Sequence, residues 1–147
     1  MAERARPILV VEDSPEDFEA TRRSLQRGGF VHPLVHVENG DAALDYLFHR
    51  GHFARGERSP RPRLILLDLN LPGTDGRQVL ASIKADEQLR QIPVVVFTTS
   101  RDDRDVEACY RAGANSYVQK PVDLPEFRRA LDSLKSYWFE TVVLPTE

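Results

Sequence analysis

Short, unbroken apolar runs constrain the fold of this 147-residue chain more than any other feature. "PILVV" at 7–11, "LILL" at 64–67 and "PVVVF" at 93–97 are continuous rather than alternating, which is typical of strands buried on both faces. Weaker strand patterns lie at 34–37 and 116–118. Helical patterns separate these segments, so strand and helix alternate five times. This order predicts an α/β fold with a doubly wound, five-stranded parallel sheet in the order 2-1-3-4-5.

Start signals locate the helices between the strands. In "DSPED", Ser14 can cap a helix whose first position is Pro15. Further helices are expected over roughly 41–48, after "GTDG" and after Ser100. A fifth follows "DLPE" and places apolar side chains on one face at Phe127, Leu131 and Leu134.

Composition narrows the class of protein. The length favours one domain over 1–147, with a core at about 7–135. The single cysteine, Cys109, excludes an intramolecular disulfide and suits a reducing cytoplasm. No apolar run approaches the ~18 residues of a membrane span, so we expect no membrane contact. A net charge of −3 gives no indication of nucleic-acid binding.

Polar residues follow the predicted strands at their carboxyl ends. Glu12 and Asp13 follow the first strand, Asp68 the third, Thr98 the fourth and Lys120 the fifth. Ligands of doubly wound folds bind at this edge, between strands 1 and 3. Three clustered acids repel one another, and a hard divalent cation such as Mg²⁺, with Mn²⁺ as a possible substitute, would resolve that repulsion.

Asp68 differs from the other acids because it ends a rigid apolar strand. An aspartate can act as a nucleophile toward phosphorus and form an acyl phosphate. Such chemistry needs mainly positioning and charge neutralisation. Lys120 could neutralise the phosphoryl group opposite the cation, and the Thr98 hydroxyl could donate a hydrogen bond to it.

Four motifs carry a resemblance to a known family. "ILVVEDS", "LILLDLNLPGTDG", "IPVVVFTTS" and "AGANSYVQKP" resemble the receiver domain of two-component response regulators, which has a flavodoxin-like fold. The resemblance implies that Asp68 accepts a phosphoryl group from a sensor kinase phosphohistidine. Glu12, Asp13, Asp68 and the Asn70 backbone carbonyl would hold Mg²⁺.

The resemblance also implies a switch. Thr98 would move toward the phosphoryl group, Tyr117 would turn inward behind it, and the face formed by helix 4, strand 5 and helix 5 would change. Tyr117 as ordinary core packing is the alternative. The chain would catalyse its own phosphorylation and dephosphorylation, as a signalling protein rather than a metabolic enzyme.

Two further features indicate the kind of receiver. A basic insertion at 49–63 carries five arginines, and "YWFETVVLP" ends the chain in apolar and aromatic residues. Both resemble single-domain regulators that partner phytochromes, which implies a phytochrome-type histidine kinase as partner. Only about 12 residues follow the fifth helix, too few for an output domain.

Alternative functions stay open at this point. The chain could be a phosphorelay shuttle that passes its phosphoryl group to a histidine phosphotransfer protein, or a receiver-fold interaction module without catalysis. The arginine-rich insertion could contact nucleic acid, but a solvated loop is favoured because aromatic residues are scarce there. A dinucleotide-binding G-x-G-x-x-G motif is absent.

The C-terminal segment 136–147 is predicted to be an arm. Exposed apolar residues usually mark an interface, so a homodimer through helix 5 and this arm is expected. The residues of the arm are Trp138, Phe139, Val142, Val143 and Leu144. The alternative is that the segment folds back and covers the core of its own domain.

Overall fold

The computed structural model of the protein describes residues 6–27, 30–54 and 59–145. Its five strands are β1 (Ile8–Val11), β2 (Leu34–Val37), β3 (Leu64–Leu67), β4 (Val94–Thr98) and β5 (Ser116–Gln119). Its helices are α1 (Pro15–Gln26), α2 (Gly40–Phe48), α3 (Gly76–Ala85), α4 (Asp103–Ala112) and α5 (Leu124–Lys135). A 3-10 turn (Gly51–Phe53) follows α2, and a π-helical turn (Ser136–Thr141) follows α5.

The strands form one parallel sheet in the order β2-β1-β3-β4-β5, as the sequence predicts. β1 lies between β2 and β3, where Leu9 pairs with Val35 on one side and Ile65 on the other. Because all strands run the same way, their carboxyl ends share one edge. The residues that follow β1 and β3 are therefore neighbours in space.

Helices cover both faces of the sheet, which explains the continuous apolar strands. Successive side chains of a strand point to opposite faces. Leu9 and Val11 pack in a cluster with α2, α3 and α4, whereas Ile8 and Val10 pack in a cluster with α5. Neither face is left for solvent.

The local start signals act as expected. The Ser14 side chain accepts a hydrogen bond from the Asp17 N–H, and Pro15 opens α1. Asp75 and Asp102 cap α3 and α4 in the same manner. These caps satisfy amide groups that would otherwise lack partners in the first helical turns.

The C-terminal segment packs on its own domain, whereas the sequence predicts an arm that packs on a second protomer. Trp138 and Leu144 are only 8% and 7% exposed, and both belong to the core cluster of their own domain. Phe139 and Val142 are partly buried and pack against the same cluster. Of the five arm residues, Val143 is the exposed one, at 93%. The segment thus follows the alternative of folding back. The apolar stripe of α5 continues through the π-helical turn, and the domain itself covers that stripe.

The insertion at 49–63 is tied to the domain where it is described. The Tyr46 hydroxyl donates to the Pro60 carbonyl at 2.7 Å, and His49 Nε2 lies 3.0 Å from the Ser59 carbonyl oxygen. The Arg6 side chain donates to the Arg61 and Pro62 carbonyls. The described part of the insertion is therefore packed against the domain to a greater extent than the predicted solvated loop. Arg55 and Arg58 lie outside the described residues.

Candidate functional site

Three acids meet at the carboxyl edge of β1 and β3. Glu12 and Asp13 come directly after β1, and Asp68 comes directly after β3. One carboxylate oxygen from each lies within 4.8 Å of the others. Glu12 and Asp68 are buried, whereas Asp13 is exposed. This arrangement combines two fixed oxygen donors with an opening to water, which suits a hard divalent cation that keeps part of its hydration shell.

The backbone around Asp68 is fixed by close packing. The Leu69 N–H donates to Asp68 Oδ1 at 2.7 Å, and the Gly76 N–H donates to the Leu69 carbonyl at 2.9 Å. A Cβ at Gly76 would lie 2.2 Å from the Asp68 carbonyl oxygen, so only glycine permits this approach of α3. Asn70, the expected carbonyl ligand, follows in this loop with an exposed side chain.

Lys120 lies at the centre of the site. Its backbone N–H donates to the Thr98 carbonyl at 2.7 Å, which fixes it beside β4. Its ammonium donates to Glu12 Oε1 at 2.6 Å and to Asp68 Oδ2 at 3.0 Å. A third bond, also 3.0 Å, reaches Asp17 Oδ2 on α1. The three N–H groups of the ammonium are thus fully used.

Burial and charge compete at this site. Burial raises the pKa of Glu12 to about 7, while the hydrogen bond from Lys120 opposes that rise and the charge of Asp68 adds to it. Burial alone would lower the pKa of Lys120, but the hydrogen bond to Glu12 and the charge of Asp68 outweigh it and raise that pKa. The negative potential that remains would be relieved by a cation.

Thr98 and Tyr117 are linked through Ser100. Thr98 is fully buried at the end of β4, and its hydroxyl oxygen accepts from the Ser100 N–H at 3.4 Å. The half-buried Tyr117 donates its hydroxyl to the Ser100 carbonyl at 3.1 Å. The Tyr117 N–H donates to the hydroxyl oxygen of Tyr110 on α4, also at 3.1 Å. Both predicted switch residues therefore contact the loop between β4 and α4.

A second ionic group lies beside this loop and was not predicted from the sequence. The Arg77 guanidinium donates two hydrogen bonds to Asp105, at 2.8 and 2.7 Å, and two to Asp75, at 2.9 Å each. The Ser100 hydroxyl donates to Asp105 at 2.6 Å. Hydrogen bonds from Arg77 and Ser100 lower the pKa of Asp105 to about 2. Arg77 and Asp105 lie on different helices, so no local pattern could reveal the pair.

A histidine also supports the site from β2. His36 Nε2 lies 2.7 Å from the Glu12 carbonyl oxygen, and a carbonyl can only accept, so Nε2 carries the proton. The Phe18 ring stacks on the imidazole with centroids 3.7 Å apart. These contacts fix the backbone from which the Glu12 carboxylate projects.

Comparison with known proteins agrees with the architecture and the acidic site. The family model for the response regulator receiver domain matches residues 8–132. The chain belongs to this family. The resemblance expected from the sequence motifs is therefore confirmed.

Two relatives align with this chain over most of its length. The response regulator Rcp1 of Synechocystis sp. is 43% identical over 148 residues, covering 99% of each chain. A probable methanogenesis regulatory protein, FilR2 of Methanothrix harundinacea, is 44% identical over 132 residues, covering 89% of this chain and 82% of the relative. Both relatives agree with the assignment of the chain to the receiver-domain family.

Solved structures relate the chain to phytochrome response regulators. The Mn(2+)-bound form of Rcp1 has a TM-score of 0.90 and 44% identity, covering 95% of this chain and 99% of that chain. The phosphorylated cyanobacterial phytochrome response regulator RcpA has a TM-score of 0.91 and 37% identity, covering 97% and 100%. The acidic cluster of this chain fits a divalent cation of the kind that the Rcp1 structure contains.

Among the helices in the described part of the chain, none is long and apolar enough to cross a bilayer.

Proposed function

We propose that this receiver domain accepts a phosphoryl group on Asp68 in a Mg²⁺-dependent reaction. One observation carries the proposal: the Asp68 carboxylate lies 3.0 Å from the Lys120 ammonium, and one of its oxygens lies within 4.8 Å of oxygens of Glu12 and Asp13. A nucleophile for phosphorus needs positive charge on both sides of the incoming group. Lys120 supplies one side, and a cation on the three acids supplies the other.

The donor is a phosphohistidine of a sensor kinase. A carboxylate oxygen of Asp68 attacks phosphorus, the P–O bond forms and the P–N bond breaks, and the electron pair of that bond stays on the imidazole nitrogen. Glu12, Asp13, Asp68 and the Asn70 carbonyl would hold Mg²⁺, which would neutralise charge on the phosphoryl oxygens. Lys120 holds another phosphoryl oxygen, and the rigid ends of β1 and β3 keep the acids in place.

The signal leaves through the loop after β4. Phosphorylation adds charge at Asp68, so the total approaches that of a dianion. The Thr98 hydroxyl would donate to a phosphoryl oxygen, and its movement toward that oxygen would lengthen the bond that it accepts from the Ser100 N–H. The loop would follow because Tyr117 is bonded to Ser100. The face formed by α4, β5 and α5 would change. The phosphoryl group shifts this equilibrium only as far as it favours one arrangement over the other.

The partner that these relatives suggest is a phytochrome-type histidine kinase. The name of RcpA links that relative to a phytochrome, and the whole described domain of this chain resembles it. A cytoplasmic location follows from the proposal, because ATP supplies the phosphoryl group of such kinases. A phosphorelay shuttle remains the second candidate, since an aspartyl phosphate could equally pass to another histidine.

A homodimer through α5 stays part of the proposal. Its interface would use fewer residues than the predicted arm, because most of the arm packs against its own domain. Beside the edge strand β5, Val118, Leu134 and Tyr137 line a groove next to the buried Trp138. Tyr137 and Val143 remain exposed apolar residues. The double variant Tyr137→Glu with Val143→Glu should sediment as a monomer and still accept phosphate. A dimer unchanged by both substitutions would exclude these residues from the interface.

The proposal is tested with acetyl phosphate and Mg²⁺. Intact mass spectrometry should show one added phosphoryl group on the wild-type chain, and none when EDTA is present during the reaction. Asp103→Asn, a matched change at an exposed position on α4, should leave the adduct unchanged. A wild-type chain that gains no phosphoryl group would support the alternative of a non-catalytic interaction module.

A further inference from the structure

Asp17 contributes a fourth carboxylate to the site from a different element. Its N–H donates to the Ser14 side chain at 3.2 Å, so the cap of α1 fixes its backbone. Its Oδ2 lies 3.0 Å from Lys120 Nζ, and its side chain is 35% exposed. Asp17 is not among the acids whose oxygens meet in the candidate metal cluster. It therefore reaches the site through Lys120.

The ammonium of Lys120 divides its three N–H groups among Asp68, Glu12 and Asp17. The bond to Glu12 is the shortest of the three at 2.6 Å, and both of its partners are buried. Glu12 is thus sufficient to hold Lys120 at the strand edge. The bond to Asp17 is not needed for that purpose. It engages one N–H of the Lys120 ammonium on the side that faces α1 and solvent.

A phosphoryl group on Asp68 changes the competition for Lys120. The group presents three oxygens that accept hydrogen bonds and adds negative charge. The phosphorylated Asp68 can therefore accept more hydrogen bonds from the Lys120 ammonium than the free carboxylate does. Asp17 opposes this demand because it retains one N–H and its own charge repels the incoming anion. The partly exposed Asp17 can turn to water at small cost, whereas the buried Glu12 cannot.

We propose that Asp17 is a positioning residue that competes with the phosphoryl group for Lys120 and thereby limits the stability of the phosphorylated state. The inference rests on the proposed phosphorylation of Asp68 and adds a residue that sets its extent. Neutralising Asp17 frees one N–H of Lys120 for the phosphoryl oxygens. The phosphorylated form should then be favoured over the unphosphorylated form.

The test uses beryllium trifluoride, an anion of phosphoryl geometry, with Mg²⁺ and the full chain in calorimetric titrations. Asp17→Asn should bind the anion about fivefold more tightly than the wild type, which is the worth of one partly exposed ion pair. Asp17→Glu keeps the charge and should bind close to the wild-type affinity. Glu16→Gln removes an exposed charge from the same helical turn and should also leave the affinity unchanged.

The Mg²⁺ affinity measured without the anion separates the two physical causes. If Asp17 acts through Lys120, Asp17→Asn should change Mg²⁺ affinity by less than about twofold, because Asp17 stands outside the acidic cluster. An equal change in Mg²⁺ and anion affinity would assign the effect to bulk charge and overturn the inference. Unchanged or weaker anion binding by Asp17→Asn would overturn it as well. A wild-type chain that binds no anion would instead overturn the proposed function and this inference together.

Discussion

Replacement of Trp138 by alanine tests whether the C-terminal segment is a structural part of the domain. Trp138 is 8% exposed and lies against Ile8, Leu64, Leu66 and Val95 of the sheet, beside Leu131 of α5. A tryptophan that reached out to a second protomer would make no such contacts within its own chain. Loss of the indole should therefore destabilise even an isolated monomer.

The size of the loss follows from the buried area. Burial of about 200 Å² of indole surface at ~25 cal/mol per Å² gives about 5 kcal/mol as an upper value. Trp138 also borders the open groove beside β5, so the site can relax and water can enter it. We expect a loss near the lower end of the usual range for such a truncation, about 3 kcal/mol.

The assay is urea unfolding followed by circular dichroism, because Trp138 is the only tryptophan and fluorescence would be lost with it. With a slope of about 2 kcal/mol per M, the midpoint should fall by about 1.5 M at unchanged slope. Val143→Ala is the matched control, since Val143 is 93% exposed and its truncation should change stability by less than about 0.5 kcal/mol. Equal midpoints for the two variants would refute the assignment of Trp138 to the core.

Two further predictions concern charge. MgCl₂ at about 100 times its dissociation constant should add about 2.7 kcal/mol to the stability of the wild type. Thermal melts should show a smaller gain for Asp13→Asn and the full gain for the control Asp132→Asn, at an exposed position on α5. If Asp13→Asn retained the full gain, Asp13 would not be a ligand of the metal. Arg77→Gln should lower stability by about 1–2 kcal/mol at pH 7, because Asp105 loses both hydrogen bonds from Arg77 and keeps the one from the Ser100 hydroxyl. The pKa of Asp105 is lowered from 3.8 to about 2, so its contribution is complete above pH 4 and is lost as the pH falls toward 2. The difference between Arg77→Gln and the wild type should shrink over that interval, and a difference independent of pH would contradict the ion pair.

Much of the fold could be predicted because it depends on local patterns. Continuous apolar runs such as "LILL" are typical of strands buried on both faces, and β3 lies at 64–67 as expected. Parallel strands then require Glu12 and Asp68 to share an edge. The cap at Ser14 is likewise a local signal, because its partner, Asp17, is three residues away.

Other features depend on contacts that no local pattern specifies. An amphipathic stripe along α5 predicts that Trp138 is covered, but the stripe does not tell whether its own domain or a second chain covers it. The bond between Asp17 and Lys120 joins residues that are 103 positions apart. The bonds of Arg77 to Asp105 span 28 positions. Such pairs follow from the packing of α1 against α5 and of α3 against α4, and only the structure supplies that packing.

The identity of the acceptor residue is the central claim, and reductive trapping tests it most directly. Borohydride reduces an aspartyl phosphate to homoserine, so the modified position can be read by peptide mass spectrometry after reaction with acetyl phosphate and Mg²⁺. We predict homoserine at position 68 alone, and none in Asp68→Asn. Homoserine at Asp13 or Asp17 in the wild type, or a trapped product that persists in Asp68→Asn, would contradict the assignment of Asp68 as the acceptor.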